Sequence, residues 1–385
     1  MRNKTTITSP GVNISYWEMK RYFTGFDLIV IGSGIVGLNT ALYYKKNKPK
    51  ARVLVLEKGI LPAGASTKNA GFACFGSPSE LLSDLKTIPE ETVWNTVKMR
   101  WEGLKLLRRN LGDKNIGFKQ NGGYELFNDK KSYIDCFETI EYLNKNCKEF
   151  IGKKNVYTAS DSSINAFGFK KIDGIIFNKE EGQIDTDEMF NSLLQLVQKH
   201  DITILNNVEI SAISDTKKGV ELESNTGLFK AKKVVVAING FAKNLLKISD
   251  VAPARAQVLI TKPIRNLKLK GTFHYDKGFY YFRNIDERIL LGGGRNLDLK
   301  GETTTKIGIT PEIQNRLEHL LKTVVIPNQK FEIEHRWAGI MGVGNEKKPI
   351  IKHYTPNIVC AIRMGGMGVA IGSLVGKEAS ELIAD

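Results

Sequence analysis

The stretch that most restricts this chain runs from Phe26 to Glu57 and reads FDLIVIGSGIVGLNTALYYKKNKPKARVLVLE. The apolar run Phe26–Ile31 predicts a buried strand, and Gly32-Ser33-Gly34-Ile35-Val36-Gly37 predicts a tight turn. A helix follows with Ile35, Leu38 and Leu42 on its apolar face, then a second strand, Val53–Leu56, that ends at Glu57. Each glycine has a physical reason: Gly32 allows the sharp turn, Gly34 lets backbone approach a pyrophosphate, and Gly37 lets the helix pack closely. The helix start offers N–H groups and a positive dipole end to phosphate. Glu57, 20 residues beyond Gly37, is placed to accept hydrogen bonds from a ribose diol and would repel a 2′-phosphate. A bare GxGxxG can mark only a turn. Flanked by strand, helix, strand and acid, it predicts a dinucleotide site.

At 385 residues the chain can bury two sizeable cores, and 42% hydrophobic with 25% charged residues is an ordinary globular balance. The first 25 residues mix charge, Pro10, Gly11 and aromatics without the continuous apolar core of a secretory signal, and no apolar run reaches membrane-span length. Cys74, Cys136, Cys147 and Cys360 show no CxxC pairing or metal-ligand rhythm, so neither a disulfide framework nor a metal is indicated, and a cytoplasmic setting fits. The net charge of +15 raises the question of nucleic acid, anionic lipid or an acidic substrate. The lysines, however, fall in scattered pairs at turns and strand starts, as in Lys153-Lys154 and Lys217-Lys218. Solvated loops look like this, and nucleic acid is not the expected partner.

Strand and helix character alternate in short segments, which predicts an α/β chain. After Glu57, residues Leu61 to Gly71 are small and of weak propensity, reading as a loop moulded around something. Ser77-Pro78-Ser79-Glu80 predicts a helix start with a capping box. Helices are expected over Glu90–Leu111, Tyr133–Cys147 and Thr186–Lys199. Strands are expected at 122–127, Thr203–Leu205, Gly219–Ser224, Leu228–Lys230, Lys233–Ala237, Arg255–Thr261, Phe279–Arg283, Ile289–Leu291 and Ile358–Ile362. The last strand meets Gly365-Gly366-Met367-Gly368 and a final helix containing Val369–Ile383, mirroring the N-terminal strand, glycine cluster and helix. Two helix N-termini aimed at one ligand suit a long cofactor with two polar ends, although a plain turn remains open.

In order along the chain stand VIGSGIVGLNTAL with Glu57, GASTKNAGF, EGQIDTDEMFNSLL, KKVVVAINGFAKNLL, PARAQVLIT, ILLGGGRN, HRWAGIMG and the glycine-rich end. With these blocks in register beyond about Phe26, the chain resembles the FAD-dependent D-amino-acid-oxidase-like superfamily, which includes glycine and sarcosine oxidases, amino-acid dehydrogenases and γ-glutamylputrescine oxidases. The resemblance implies a mixed α/β (α+β) fold: a Rossmann-like FAD-binding domain from 22–85, 151–245 and 336–385, and an antiparallel-sheet substrate or cap domain from 86–150 and 246–335. It implies FAD as cofactor. Gly32, Gly34, Ile35, Val36 and Gly37 would serve the pyrophosphate, and Glu57 with Lys58 the adenosine side. Ser66, Lys68, Asn69, Ala70 and Gly71 would wrap pyrophosphate and flavin edge, and Val208 would touch adenine. Asn239 and Gly240 would lie under the cofactor, and Gly365, Gly366, Met367 and Gly368 would approach the flavin's pyrimidine end. There a helix dipole could stabilise the charge that reduction places on the ring.

The implied chemistry is removal of a hydride equivalent from a carbon bearing an amine, with O2 or an electron carrier as final acceptor. It needs positioning and exclusion of water more than an acid–base residue, so no catalytic base is singled out. Amino-acid oxidases of the family commonly carry an arginine after the Trp-Ala-Gly-Leu stretch to grip the substrate carboxylate. Here Trp337-Ala338-Gly339-Ile340 is followed by Met341, which cannot form a bidentate pair. Arg283 and Arg363 are the candidates to replace it, each against a structural salt bridge, and Tyr281 is a candidate pocket wall against plain packing. Cys74, His335, His353 and Lys262 are weighed as reactive groups and read as structural. Oxidation of a 2-hydroxy acid, action on a modified tRNA base and a non-catalytic flavoprotein stay open as alternatives.

Overall fold

The structure, a computed structural model, describes residues 13–384. The chain divides into two compact units. One holds the described residues up to Thr67 with Phe190–Pro253 and the chain from Met341; the other holds Lys68–Met189 and Ala254–Ile340. The contacts therefore place 68–85 and 151–189 in the second unit, against the expected boundaries at 85 and 151. Strands Tyr157–Ala159 and Gly174–Asn178 explain the second shift, because they extend that unit's sheet.

The first unit is built on five parallel strands. From one side they are Ile358–Ile362, Gly227–Val236, Phe26–Ile31, Val53–Leu56 and Thr203–Leu205. Their chain order reverses at Phe26–Ile31, whose Val30 lies between Val235 and Val55. Leu28 to Val30 and Val234 to Val236 are wholly buried, which is why these strands read as unbroken apolar runs. Ile350–Thr355 adds an antiparallel edge. The two short strands expected at 228–230 and 233–237 are one strand, Gly227–Val236. Its first half alternates buried with exposed in a hairpin with Gly219–Ser224, and its second half is buried between parallel neighbours. That change of environment within one strand hid its continuity. Strand Ile210–Thr216, absent from the sequence reading, flanks the hairpin.

Helices Ile35–Asn47 and Gly368–Ala384 each leave the C-terminal end of a parallel strand and pack on one another. Two glycines allow the approach. A Cβ on Gly372 would sit 2.8 Å from Ile35, and one on Gly376 would sit 2.6 Å from the Val36 carbonyl oxygen.

The second unit carries an eight-stranded sheet. Its order is Ile333–Val343, Ala252–Thr261, Arg288–Gly293, Tyr280–Ile285, Thr272–Tyr275, Gly123–Phe127, Gly174–Asn178 and Tyr157–Ala159. Thr272–Tyr275 and Gly123–Phe127 run parallel, so the sheet is mixed and departs at that pair from the antiparallel array expected. One face is filled by Phe273, Tyr280, Phe282 and Leu291 against Leu317 and Leu320 of helix Pro311–Leu320.

Two local expectations are corrected in this unit. The helix expected over Tyr133–Cys147 is two, Lys130–Glu138 and Ile140–Ile151, broken at Thr139, whose hydroxyl bonds the Cys136 carbonyl at 2.8 Å. Helix Pro78–Leu85 begins where expected, but no capping box forms. Glu80 turns to Arg100 at 3.1 Å, while buried Glu125 takes the Ser79 N–H at 3.0 Å and the Ser79 hydroxyl.

Candidate active site

At the point where the strand order of the first unit reverses, three strand ends converge. In open parallel sheets this is where ligands bind. Gly32 (φ +102°) hands the chain from Ile31 to the helix, and a Cβ there would lie 2.7 Å from the Ala237 carbonyl oxygen. A Cβ on Gly37 would overlap the Gly32 carbonyl oxygen. Asn239 Oδ1 accepts the N–H groups of Arg363 (3.0 Å) and Met364 (3.1 Å), tying the second strand end to the third. Gly365 donates its N–H to Gly342 at 3.0 Å, and Gly240 lies against the Met341 carbonyl. Gly365 (φ +57°) and Gly366 (φ +82°) are exposed in left-handed conformations, with nothing nearer a Gly365 Cβ than the Lys347 carbonyl at 3.9 Å. Met367 and Gly368 open the last helix beside them.

The flank of the first turn is equally definite. Ser66 Oγ accepts the Ile35 N–H at 2.9 Å, so the 61–67 loop caps the helix start on which Val36 lies. Glu57 accepts Ser33 N (3.1 Å) and Ser33 Oγ (2.8 Å) on one oxygen and Gly59 N (3.0 Å) on the other. The acid thus stiffens the glycine turn, and a carboxylate's four lone-pair sites leave acceptor capacity for a diol. Val208 donates its N–H to the Glu57 carbonyl at 2.8 Å. Lys58 pairs with Glu209 at 2.6 Å on the open surface. A hollow of about 470 Å³ lined by Asp27, Tyr44, Lys48 and Lys232 lies at the other end of the same strands. Its lysines are held by Asp27 and the Ala384 carbonyl, so it belongs to the scaffold.

Both arginines proposed for a carboxylate have protein partners, although the buried Nε of Arg283 has none among the described residues. Arg363 (φ +68°) is buried, ion-paired to Asp250 and Glu346, and bonded to the Lys348 carbonyl at 2.9 Å. Arg283, also buried, donates through one nitrogen to the carbonyls of Ile184 (2.6 Å) and Gly71 (3.1 Å). Burial pushes its guanidinium down to about 10. Arg283 therefore fixes the loop that holds Lys68, Asn69, Ala70 and Gly71. Asn69 Oδ1 accepts Gly71 N and the Thr186 hydroxyl, and the Lys68 carbonyl accepts Trp337 Nε1 at 3.1 Å. Met341 lies near Gly366, its sulfur 3.5 Å from where a Cβ would stand.

Tyr281 faces away from Tyr280 and Phe282, toward a cluster of Ala70, Val258, Leu290, Phe72 and Trp337. Strand pairing sets His274 directly beside it, and Phe72 meets both rings edge-on, at 5.3 Å from His274 and 5.7 Å from Tyr281. Burial drives His274 down to about 4 and Tyr281 up to about 12, so both are neutral across the physiological range. His274 was missed because an isolated histidine on a short strand carries no local signal. Cys74 is buried against the Thr272 hydroxyl at 3.3 Å, and burial holds its thiol well above the usual range. His335 and His353 are exposed, and Lys262 pairs with Glu332 at 2.6 Å.

A second missed group lies in the same unit. Glu181 accepts the N–H groups of Phe75 (2.9 Å) and Gly76 (3.2 Å), Arg100 donates to the Phe75 carbonyl, and the Tyr157 hydroxyl to that of Gly76. Desolvation outweighs these bonds and raises Glu181 to about 7, and Glu125 likewise to about 7.

A parallel sheet with glycine turns on two helix starts at its switch point, flanked by an acid, defines a dinucleotide-binding protein. The chain belongs to the DAO family, FAD dependent oxidoreductase, which matches residues 27–382. The N-methyl-L-tryptophan oxidase of Yersinia pestis (strain Pestoides F) is 25% identical over 238 residues, covering 60% of this chain and 58% of that protein. The match thus spans less than two thirds of the relative's length. In fold the chain is similar to L-proline dehydrogenase from P. horikoshii (TM-score 0.73, 19% identity, 93% of each chain). It is also similar to glycine oxidase from Geobacillus kaustophilus (TM-score 0.71, 18% identity, 93% of this chain and 94% of that one). The site fits FAD: the glycine positions leave no room for side chains at the turn, and the helix starts supply donors for phosphate. Among the described residues no helix is long and apolar enough to cross a membrane.

Proposed function

We propose that this chain oxidises the C–N bond of a small amine or amino acid. The observation that carries the reading is the convergence of Gly32–Gly37, Asn239–Gly240 and Gly365–Gly368 at one strand-end site of a DAO-family fold. When bound there, FAD would take up the hydride equivalent lost from the carbon next to nitrogen, leaving an imine that water hydrolyses. Gly32, Gly34 and Gly37 would hold the pyrophosphate, Glu57 the ribose, and the Gly365–Gly366 amides the flavin's polar edge.

The chain's own contribution is placement. His274 and Tyr281 are neutral groups packed beside Phe72 within the second unit, and an apolar setting of this kind favours an uncharged amine over an ammonium ion. A neutral amine is the form that can release a hydride equivalent. Relatives named as oxidases of N-methyl-L-tryptophan and glycine support an amine or amino-acid substrate. Four free, buried cysteines support a reducing compartment such as the cytoplasm.

The test is anaerobic titration of the FAD-loaded protein with amines, amino acids and 2-hydroxy acids. Bleaching of the oxidised-flavin band by an amine, with ammonia or an alkylamine released, is expected. Readmitting air then separates an oxidase from an enzyme that uses an electron carrier. Bleaching by hydroxy acids alone would overturn the proposal.

A further inference from the structure

We infer that the end of the first unit opposite its glycine turns is a docking face for an anionic phospholipid surface, with Trp17 as its anchor and Lys20, Arg21 and nearby lysines as its charge. The anchor lies ahead of residues 27–382 that match the DAO family, so the shared fold does not call for it. Tyr16–Glu18 is helical and winds on through Met19–Phe23. Both ends of this segment are fixed. Ser15 Oγ accepts the Glu18 N–H at 3.2 Å and the Glu18 carboxylate accepts the Ser15 N–H at 2.8 Å, which closes a capping box. At the other end Arg52 donates to the carbonyls of Arg21 (2.8 Å) and Thr24 (3.1 Å), and Phe23 stacks on Phe229 at 4.6 Å.

Held in this way, the segment turns two large rings outward. Trp17 is 72% exposed and Tyr16 61%, and the two rings meet edge-on at 5.2 Å. Rings of this kind settle at a bilayer interface, with the apolar body among the acyl chains and the polar tip toward water. Lys20 and Arg21 follow Trp17 by three and four residues, so charge and indole share one side of the helix.

The fold also gathers cations that are scattered in the sequence. Arg52, which grips the helical segment, stands at the foot of strand Val53–Leu56, and its N–H donates to Asp27 at 2.8 Å. Asp27, Lys48, Lys50 and Lys232 line the hollow at this end of the sheet, and Lys46 is in the last turn of helix Ile35–Asn47. The acids beside them are engaged: Glu18 in the capping box, and Asp27 with Lys232 at 2.8 Å. Lys20, Arg21, Lys46 and Lys50 are exposed and have no acid partner among the described residues. An exposed indole thus stands in a rim of uncompensated positive charge.

That combination favours lipid over nucleic acid. The two rings are inclined at 73°, so they offer no parallel faces on which successive bases could stack. Each cation near an anionic membrane adds about fivefold to binding. The glycine turns lie at the opposite ends of the same strands, so docking here does not involve them.

The experiment is flotation of the FAD-loaded full chain with vesicles of phosphatidylcholine alone and of phosphatidylcholine and phosphatidylglycerol in equal parts. The proteins are the wild type, Trp17→Ser, the double variant Lys20→Gln/Arg21→Gln and, as a surface control, Lys300→Gln. The wild type should float with the phosphatidylglycerol vesicles alone, and release at about 1 M salt, where the screening length falls to about 3 Å. Binding should fall roughly 10-fold in Trp17→Ser and about 25-fold in the double variant. A chain of net charge +15 can adhere to anionic vesicles without a defined face; a loss on removing Trp17 but not Lys300 separates the two cases. A wild type that floats with neither vesicle, or either the Trp17 or the double variant binding as the wild type does, would overturn the inference. Tighter binding to an oligouridylate than to the vesicles, lost in the double variant, would overturn it in favour of nucleic acid.

Discussion

Replacing Glu181 by glutamine should flatten the pH dependence of stability. Glu181 is 2% exposed, and its bonds to Phe75 and Gly76 do not offset its desolvation, so it titrates near 7 in place of the model-compound 4.5. Between those values the folded chain keeps a proton that the unfolded chain has lost. Stability therefore falls as pH rises through this window and levels off above it. At about 1.4 kcal/mol per unit, the interval is worth about 3 kcal/mol for this one group. Glu125, also raised to about 7, adds a slope of the same sign. The informative quantity is a difference of differences. Whatever Glu181→Gln costs at pH 4.5, its unfolding free energy relative to wild type should improve by about 3 kcal/mol on going to pH 8. Urea unfolding of the FAD-loaded protein at pH 4.5, 6 and 8 measures it, with Glu125→Gln run in parallel. Parallel pH profiles for wild type and Glu181→Gln would show that the carboxyl is ionised in the folded chain and refute the reasoning.

Three further substitutions follow from the geometry. Gly37→Ala should lose FAD and at least about 2 kcal/mol, since its Cβ overlaps the Gly32 carbonyl oxygen, whereas Gly64→Ala, with open space around it, should stay within about 0.5 kcal/mol; flavin content and thermal melting compare them. Ser66→Ala removes the acceptor for the Ile35 N–H and should cost about 1 kcal/mol, read by urea unfolding, with weaker FAD retention. Arg283→Met leaves the Ile184 carbonyl without its side-chain donor, while the Gly71 carbonyl keeps the Ile184 N–H, and should cost about 1–3 kcal/mol. An Arg283→Met protein of unchanged stability but raised KM for carboxylate substrates would show that Arg283 serves the ligand instead of the loop.

What the sequence disclosed was local. Strand Phe26–Ile31, the glycine turn and strand Ile358–Ile362 lie where expected, because apolar runs and glycine spacing are written within a few residues. What it withheld was non-local. Arg283 meets Gly71, 212 residues away, and Arg363 meets Asp250, 113 away, so nothing beside either arginine shows these partners. Glu125 and Glu181 look like any other acids until strand pairing and the 75–79 segment enclose them.

The order of strands in the first unit also bears on how the protein is made. Phe26–Ile31 leaves the ribosome about 200 residues before its neighbour on one side, Gly227–Val236, and that strand's own far neighbour is Ile358–Ile362. Translation proceeds at roughly 5–20 residues per second, so the first strand waits on the order of tens of seconds with one backbone edge unpaired. The sheet closes only once Ile358–Ile362 has been made. Throughout that interval Leu28, Ile29 and Val30 have no protein to bury them on that side. A nascent chain of this topology should therefore depend on chaperone occupancy of its first strands, and truncation before Ile358 should yield aggregates in place of a smaller folded protein.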